Sequence, residues 1–127
     1  MRGFDRDLEA LRAASEFRFL ELEEAGDACS AAKAQYDAAF AVDAFFWFLD
    51  PVRELRCIRE RLKPGGKLFL ANAASESLPS ISALYLWAGG VAAYSAGEME
   101  DLLSVAGFIK FKAFSRRAYY AAVWERG

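Results

Sequence analysis

The chain has 127 residues, enough for one domain, and 16 Lys and Arg against 18 Asp and Glu give a net charge of −2. Apolar residues at 55% and aromatics at 15% suit a packed core and exclude a disordered chain, while near-neutrality argues against a nucleic-acid partner. There is no histidine, so a Ser-His-Asp or Cys-His unit, a His base and a His-ligated metal are excluded within these residues. The 2 cysteines, Cys29 and Cys57, cannot form a four-thiolate zinc site, and no metal site is expected.

Arg2 to Asp5 reads as the end of a short strand closing on an acidic residue. Leu8, Leu11 and Ala14 then recur at helical spacing over Asp7 to Ala14. FRFLELE, from Phe17 to Glu23, alternates as a strand does, and Gly26 to Gln35 reads as helix or loop. Ala38 to Val42 is a continuous apolar run, the pattern of a strand covered on both faces. Asp50-Pro51 opens a helix, with an acceptor at the N-cap and proline at the first turn. Val52, Leu55, Ile58 and Leu62 mark its inner face. Lys63-Pro64-Gly65-Gly66 stops that helix and turns into a strand, Lys67 to Ala71.

From Ser77 to Gly97 there is no charge, but Pro79, Gly89 and Gly90 interrupt the stretch, so a buried helix or the apolar wall of a substrate pocket is expected there and not a membrane span. Its helix covers Ser80 to Trp87. Another starts at Ser95 or Ala96 and stops at Gly107. Phe108 to Phe114 alternates apolar and basic, as a half-exposed strand does, Ser115 to Arg117 turn, and Ala118 to Trp124 form the last strand. Strands alternating with helices imply a mostly parallel sheet with helices on both faces. The final pair, joined by a tight turn, must be antiparallel. The N-terminus has no apolar signal core, and the cytoplasm is the expected compartment.

Several of these segments, taken together, resemble class I S-adenosylmethionine-dependent methyltransferases. Gly3-Phe4-Asp5 with Leu8 and Leu11 resembles the family's second strand and following helix. Tyr36-Asp37-Ala38-Ala39-Phe40-Ala41 resembles its fourth strand. The most specific part is Phe48-Leu49-Asp50-Pro51, Leu55, and Leu62-Lys63-Pro64-Gly65-Gly66-Lys67-Leu68-Phe69-Leu70. Leu103, Ala106-Gly107-Phe108 and Tyr119-Tyr120 fit the closing helix and strand pair. The resemblance spans the whole chain as a single domain. It implies an α/β, Rossmann-like sheet that binds S-adenosylmethionine and methylates a small molecule.

By that resemblance Asp5 holds the cofactor's ribose hydroxyls, with Arg6 at the adenine edge. Read from the residues alone, Asp5 could equally cap the next helix. At the adenine end Glu23 and Asp27, with Ala28 beside it, compete, and EEAGD also reads as a solvated acidic loop. Asp43 to Trp47 should border the sulfonium and the acceptor. Asp43 is both a cofactor contact and the candidate catalytic residue, or else a helix cap. Phe46, Trp47, Tyr85, Trp87 and Tyr94 are candidates to line the acceptor pocket, although aromatic runs also build cores.

The family's glycine-rich cofactor loop follows its first strand, and no GxGxG string occurs in these 127 residues. The expectation is therefore a methyltransferase domain without its first strand, loop and first helix, with weakened cofactor binding. Two strand edges would then lack a neighbour: the second strand closes onto the fourth and obliterates the crevice, a second copy or a partner chain supplies the missing strand, or, as the otherwise uninterrupted pattern favours, the 127 residues are an incomplete gene product. A non-catalytic module of the same fold is the alternative.

Overall fold

A computed structural model of the chain describes residues 2–5, 7–16, 21–24, 27–31, 34–76, 79–114 and 119–127. In chain order these form β1 (Arg2–Asp5), α1 (Leu8–Ala14), β2 (Glu21–Glu24), β3 (Tyr36–Val42), a 3-10 turn (Phe45–Trp47) and α2 (Pro51–Glu60). There follow β4 (Leu62–Ala73), α3 (Pro79–Trp87), α4 (Ala96–Val105), β5 (Phe108–Ala113) and β6 (Tyr119–Arg126). The chain divides into two compact units, residues 1–34 and 35–127.

In the first unit β1 and β2 pair in parallel, from Arg2 opposite Glu21 to Asp5 opposite Glu24. Parallel neighbours need a crossover, and α1 supplies it. The helix cap is Asp7, whose side chain accepts the Glu9 N–H at 2.9 Å. Phe17, Phe19 and Leu20 of the expected second strand lie outside the described residues. Of the segment expected as helix or loop, residues 27–31 form a turn, and Gly26, Ala32 and Lys33 lie outside the described residues.

The second unit is built on a sheet of order β3-β4-β6-β5. β3 and β4 are parallel, with Ala38 opposite Lys67 and Val42 opposite Ala71. β6 enters between β4 and β5 antiparallel to both, so β3, β4 and β5 point one way and β6 alone runs back. The expected closing turn, 115–117, lies outside the described residues. Strand alternation gives one face its core. Leu68 and Leu70 of β4 and Tyr120, Ala122 and Trp124 of β6 meet Leu55 of α2 and Met99 and Leu103 of α4. α4 begins with a capping box: Ser95 Oγ accepts the Glu98 N–H at 3.1 Å, and Glu98 accepts the Ser95 N–H at 3.3 Å. It ends at Gly107, φ +99°, where a Cβ would lie 2.9 Å from Arg59 Nε.

Two expectations are corrected. β3 is not covered on both faces: Ala39 and Ala41 pack toward the core, but Phe40 is 66% exposed and Val42 69%. Phe40 stacks instead on the neighbouring Phe69, with ring centroids 5.0 Å apart. The unbroken apolar run hid an alternation, because alanine is apolar on either face. The second correction concerns Lys63-Pro64-Gly65-Gly66, which is no separate turn. α2 ends at Glu60, and these residues form an irregular start to β4, with Leu62 opposite Tyr36 and Lys67 already opposite Ala38. Leu62, expected on the helix, is a fully buried strand residue. Gly65 adopts φ +76°, and a Cβ on Gly66 would sit 2.8 Å from the Lys63 carbonyl oxygen and 3.3 Å from that of Asp37. Both neighbours are backbone and cannot step aside. Gly66→Ala is therefore expected to lower stability by about 1–3 kcal/mol, read as a reduced urea midpoint.

Within the core Trp124 Nε1 donates to the Tyr120 hydroxyl at 3.1 Å. Burial pushes the Tyr120 phenol up to about 12. The unfolded phenol ionises near 10. The folded state thus keeps a proton that the unfolded state has lost, and this contribution is whole below pH 10 and disappears as pH rises toward 12. Roughly 2–3 kcal/mol should be lost across that window. Urea midpoints measured from pH 9 to 12 should fall more steeply in the native chain than in Tyr120→Phe.

Candidate functional site

The parallel strands β3 and β4 end side by side, and the chain leaves β3 at Asp43 in the left-handed region, φ +49°. Aspartate tolerates that conformation better than most residues, and backbone outliers of this kind gather at functional sites. The Asp43 N–H donates to the Ala71 carbonyl at 2.8 Å, and Asp43 Oδ1 accepts the Ala73 N–H at 3.0 Å. The carboxylate therefore closes the end of β4. It does not cap the following 3-10 turn, whose N-cap is Ala44 with no side-chain bond.

Asp43 Oδ2 accepts two further hydrogen bonds, from the Tyr85 hydroxyl at 3.1 Å and the Tyr119 hydroxyl at 3.2 Å. Tyr85 comes from α3. Tyr119 opens β6 and pairs with Ala73, the last residue of β4. Both phenols are pushed above their ordinary value, chiefly by burial and further by the Asp43 carboxylate. All three donors to Asp43 are neutral, and among the described residues no cationic side chain pairs with it.

The 3-10 turn supplies the aromatic wall. Phe45 and Phe46 are fully buried. Asn72, also fully buried, accepts the Phe45 N–H at 3.2 Å and donates to the Ala73 carbonyl at 3.0 Å, fixing the turn to β4. Phe46 stacks flat on Tyr85, centroids 4.3 Å apart at 7°, and Trp47 meets the same ring edge-on at 6.3 Å.

Of the residues expected from sequence, Asp43, Phe46, Trp47 and Tyr85 thus come together. Phe46 lies behind Tyr85 and not at the surface. Tyr94 packs edge-on against Phe45 beside the core, and its phenol is raised mainly by burial. Trp87, near the end of α3, is 85% exposed. Asp5 is the last residue of β1 and Glu23 lies in β2. Arg6 lies outside the described residues. Asp27 Oδ1 accepts the Ser30 N–H and the Ser30 hydroxyl, both at 2.8 Å, while Ala28 is buried. Tyr119 and Asn72 were not expected. The pairing of Tyr119 with Tyr120 at a strand start held the clue, since alternation sends only one of the two into the core.

A family model described as a methyltransferase domain matches residues 2–70. No curated protein matches. Solved structures do. An S-adenosylmethionine-dependent methyltransferase from Thermotoga maritima superposes with a TM-score of 0.85 at 18% identity, over 99% of this chain and 72% of its own. A methyltransferase from Haloferax volcanii, in complex with a methyltransferase activator, gives 0.82 at 17% identity over 98% and 70%. An S-adenosylmethionine-dependent methyltransferase from Mesorhizobium loti gives 0.78 at 16% over 98% and 79%. At such identities the likeness concerns the fold, here a mixed α/β fold of the Rossmann-like kind. Among the described residues no helix is long and apolar enough to cross a membrane.

Proposed function

This chain belongs to the methyltransferase-domain family, and from that premise we propose that it serves methyl transfer from S-adenosylmethionine to a small-molecule acceptor in the cytoplasm, residues 1–127 acting as one domain. The observation that supports this best is the position of Asp43. It leaves a parallel strand pair at its carboxyl end, where open α/β sheets take their ligands. The aromatic rings beside it also suit a cofactor that carries a sulfonium.

When bound, S-adenosylmethionine supplies an electrophilic methyl group. The chain's own residues bind, orient and exclude water. Asp5, at the end of β1, takes the ribose hydroxyls, with Arg6 at the adenine edge. Glu23 or Asp27, with Ala28, serves the adenine end. Asp43 stands where cofactor and acceptor meet, as a cofactor contact and as the catalytic acceptor of a hydrogen bond from the reacting group. Phe46, Trp47, Tyr85, Trp87 and Tyr94 serve the acceptor side. These 127 residues hold no GxGxG string, so the close backbone approach such a loop gives is missing from them and their own cofactor affinity is low.

Ultraviolet crosslinking with S-adenosylmethionine tritiated on its methyl group tests this. Label is expected on the peptides bearing Asp5 or residues 43–47, and excess S-adenosylhomocysteine should suppress it. Label elsewhere, or label that does not compete, overturns the reading.

A second reading has an observation of its own. β5, one edge of the sheet, carries Lys110 and Lys112 and an irregularity at Phe111, features that discourage edge pairing. β3, the opposite edge, carries only Asp37 as a charge, and the apolar Phe40 and Val42 on it are exposed. Such an edge favours a module that associates with itself or with a partner strand. Sedimentation equilibrium should then give a dimer that Val42→Lys dissociates, whereas a monomer at all concentrations removes self-association.

A further inference from the structure

A carboxylate has about four lone-pair positions. At Asp43 three are taken, one on Oδ1 by the Ala73 N–H and two on Oδ2 by the Tyr85 and Tyr119 hydroxyls. One position on Oδ1 remains. Both phenols spend their protons on Asp43, so toward a ligand they offer lone pairs. The cluster therefore presents acceptors and negative charge, and among the described residues no cationic side chain pairs with Asp43. Asp43 is part-buried, and a partly desolvated carboxylate without a counter-charge gains when a cation binds. The rings of Tyr85 and Trp47 add quadrupole attraction for the same sign. The site is reachable, because Tyr119 is 38% exposed.

We propose that Asp43, Tyr85 and Tyr119 form a subsite for an amino group, bound as an N–H-bearing cation through the open Asp43 position and the phenol oxygens. This rests on the methyl-transfer reading only in identifying that amine as the methyl acceptor, which must first pass one proton by way of the open Asp43 position to water, so that the neutral nitrogen's lone pair forms the N–C bond as the methyl group's C–S bond breaks. Tyr119 is then a positioning residue, since it holds Asp43 from the strand opposite. A neutral alcohol could fill the hydrogen-bond position but would leave the charge unanswered. A quaternary or sulfonium group would answer the charge but leave the acceptors empty.

The test is an NMR titration of the isotopically labelled chain at neutral pH with phenethylammonium chloride. N,N,N-trimethylphenethylammonium and 2-phenylethanol serve as comparators, and cofactor is absent. Saturable shifts are expected at the backbone amides of Asp43, Ala73, Tyr85 and Tyr119. Phenethylammonium should bind at least about tenfold more tightly than either comparator, and Asp43→Asn should remove that preference. Equal binding of the alcohol, or shifts absent from these four amides, overturns the subsite. Equal binding of the trimethyl compound also overturns the amine and reassigns the cluster to a cation without N–H, such as the cofactor's sulfonium. If Asp43→Asn fails to fold, the ranking of the three probes on the native chain decides. Because no cofactor is present, failure here is separable from failure of crosslinking: crosslinking without amine binding leaves a methyltransferase with another acceptor, and amine binding without crosslinking leaves a non-catalytic amine-binding module.

Discussion

Trp124→Ala is expected to lower the stability of the 35–127 unit by about 3–5 kcal/mol, the usual cost of emptying a large aromatic site in a core. The indole is 2% exposed and lies among Leu68, Leu103 and Phe108 in the core cluster. Its Nε1 donates to Tyr120, and Lys110 stands over its ring at 6.0 Å. Truncation removes all three contributions at once and leaves a buried phenol without its donor. Against a total stability of roughly 5–15 kcal/mol, a large part of the margin disappears. Urea unfolding followed by circular dichroism should show the loss, and Trp124→Phe should restore much of it. A change below about 1 kcal/mol would mean that β6 is not the strand that closes the core.

On the proposed function, Asp5→Ala should weaken S-adenosylhomocysteine binding by at least about tenfold, the cost of losing a carboxylate that accepts from two hydroxyls. Asp5 ends β1, and the neighbouring Asp7 already caps α1, so the substitution spares the helix start. Asp5→Asn should recover part of the loss, because an amide oxygen still accepts. Competition of each variant in the tritium crosslinking assay measures this, and an unchanged competition curve removes Asp5 from the site.

Elements whose signals are local were legible in the amino-acid sequence. Asp50-Pro51 does open α2, with Asp50 accepting the Arg53 N–H at 3.1 Å, and Ser95 with Glu98 does open α4. The parallel run of KLFLA beside AAFAV and the antiparallel closing pair also follow from connection lengths. What was hidden depends on pairing or on cover. Periodicity tells which residues of β3 share a face but not that the Phe40 face stays open. The irregular start of β4 is set by its register against Tyr36 and Ala38, which no local rule contains. Asp43 stood out as a charge after an apolar run. Tyr85 was a pocket candidate, but its bond to Asp43, 42 residues away, was not legible, and Tyr119, 76 residues on, did not stand out as a site residue. Only the return of β6 beside β4 brings the second phenol in.

The central proposal is that this chain binds S-adenosylmethionine, and an NMR titration of the chain with that cofactor tests it most directly. The account predicts saturable amide shifts at Asp5, Ala28 and Asp43 to Trp47, with a dissociation constant of about 1 mM, an affinity near −4 kcal/mol. Shifts confined to other segments, or none on reaching saturating cofactor, would contradict it.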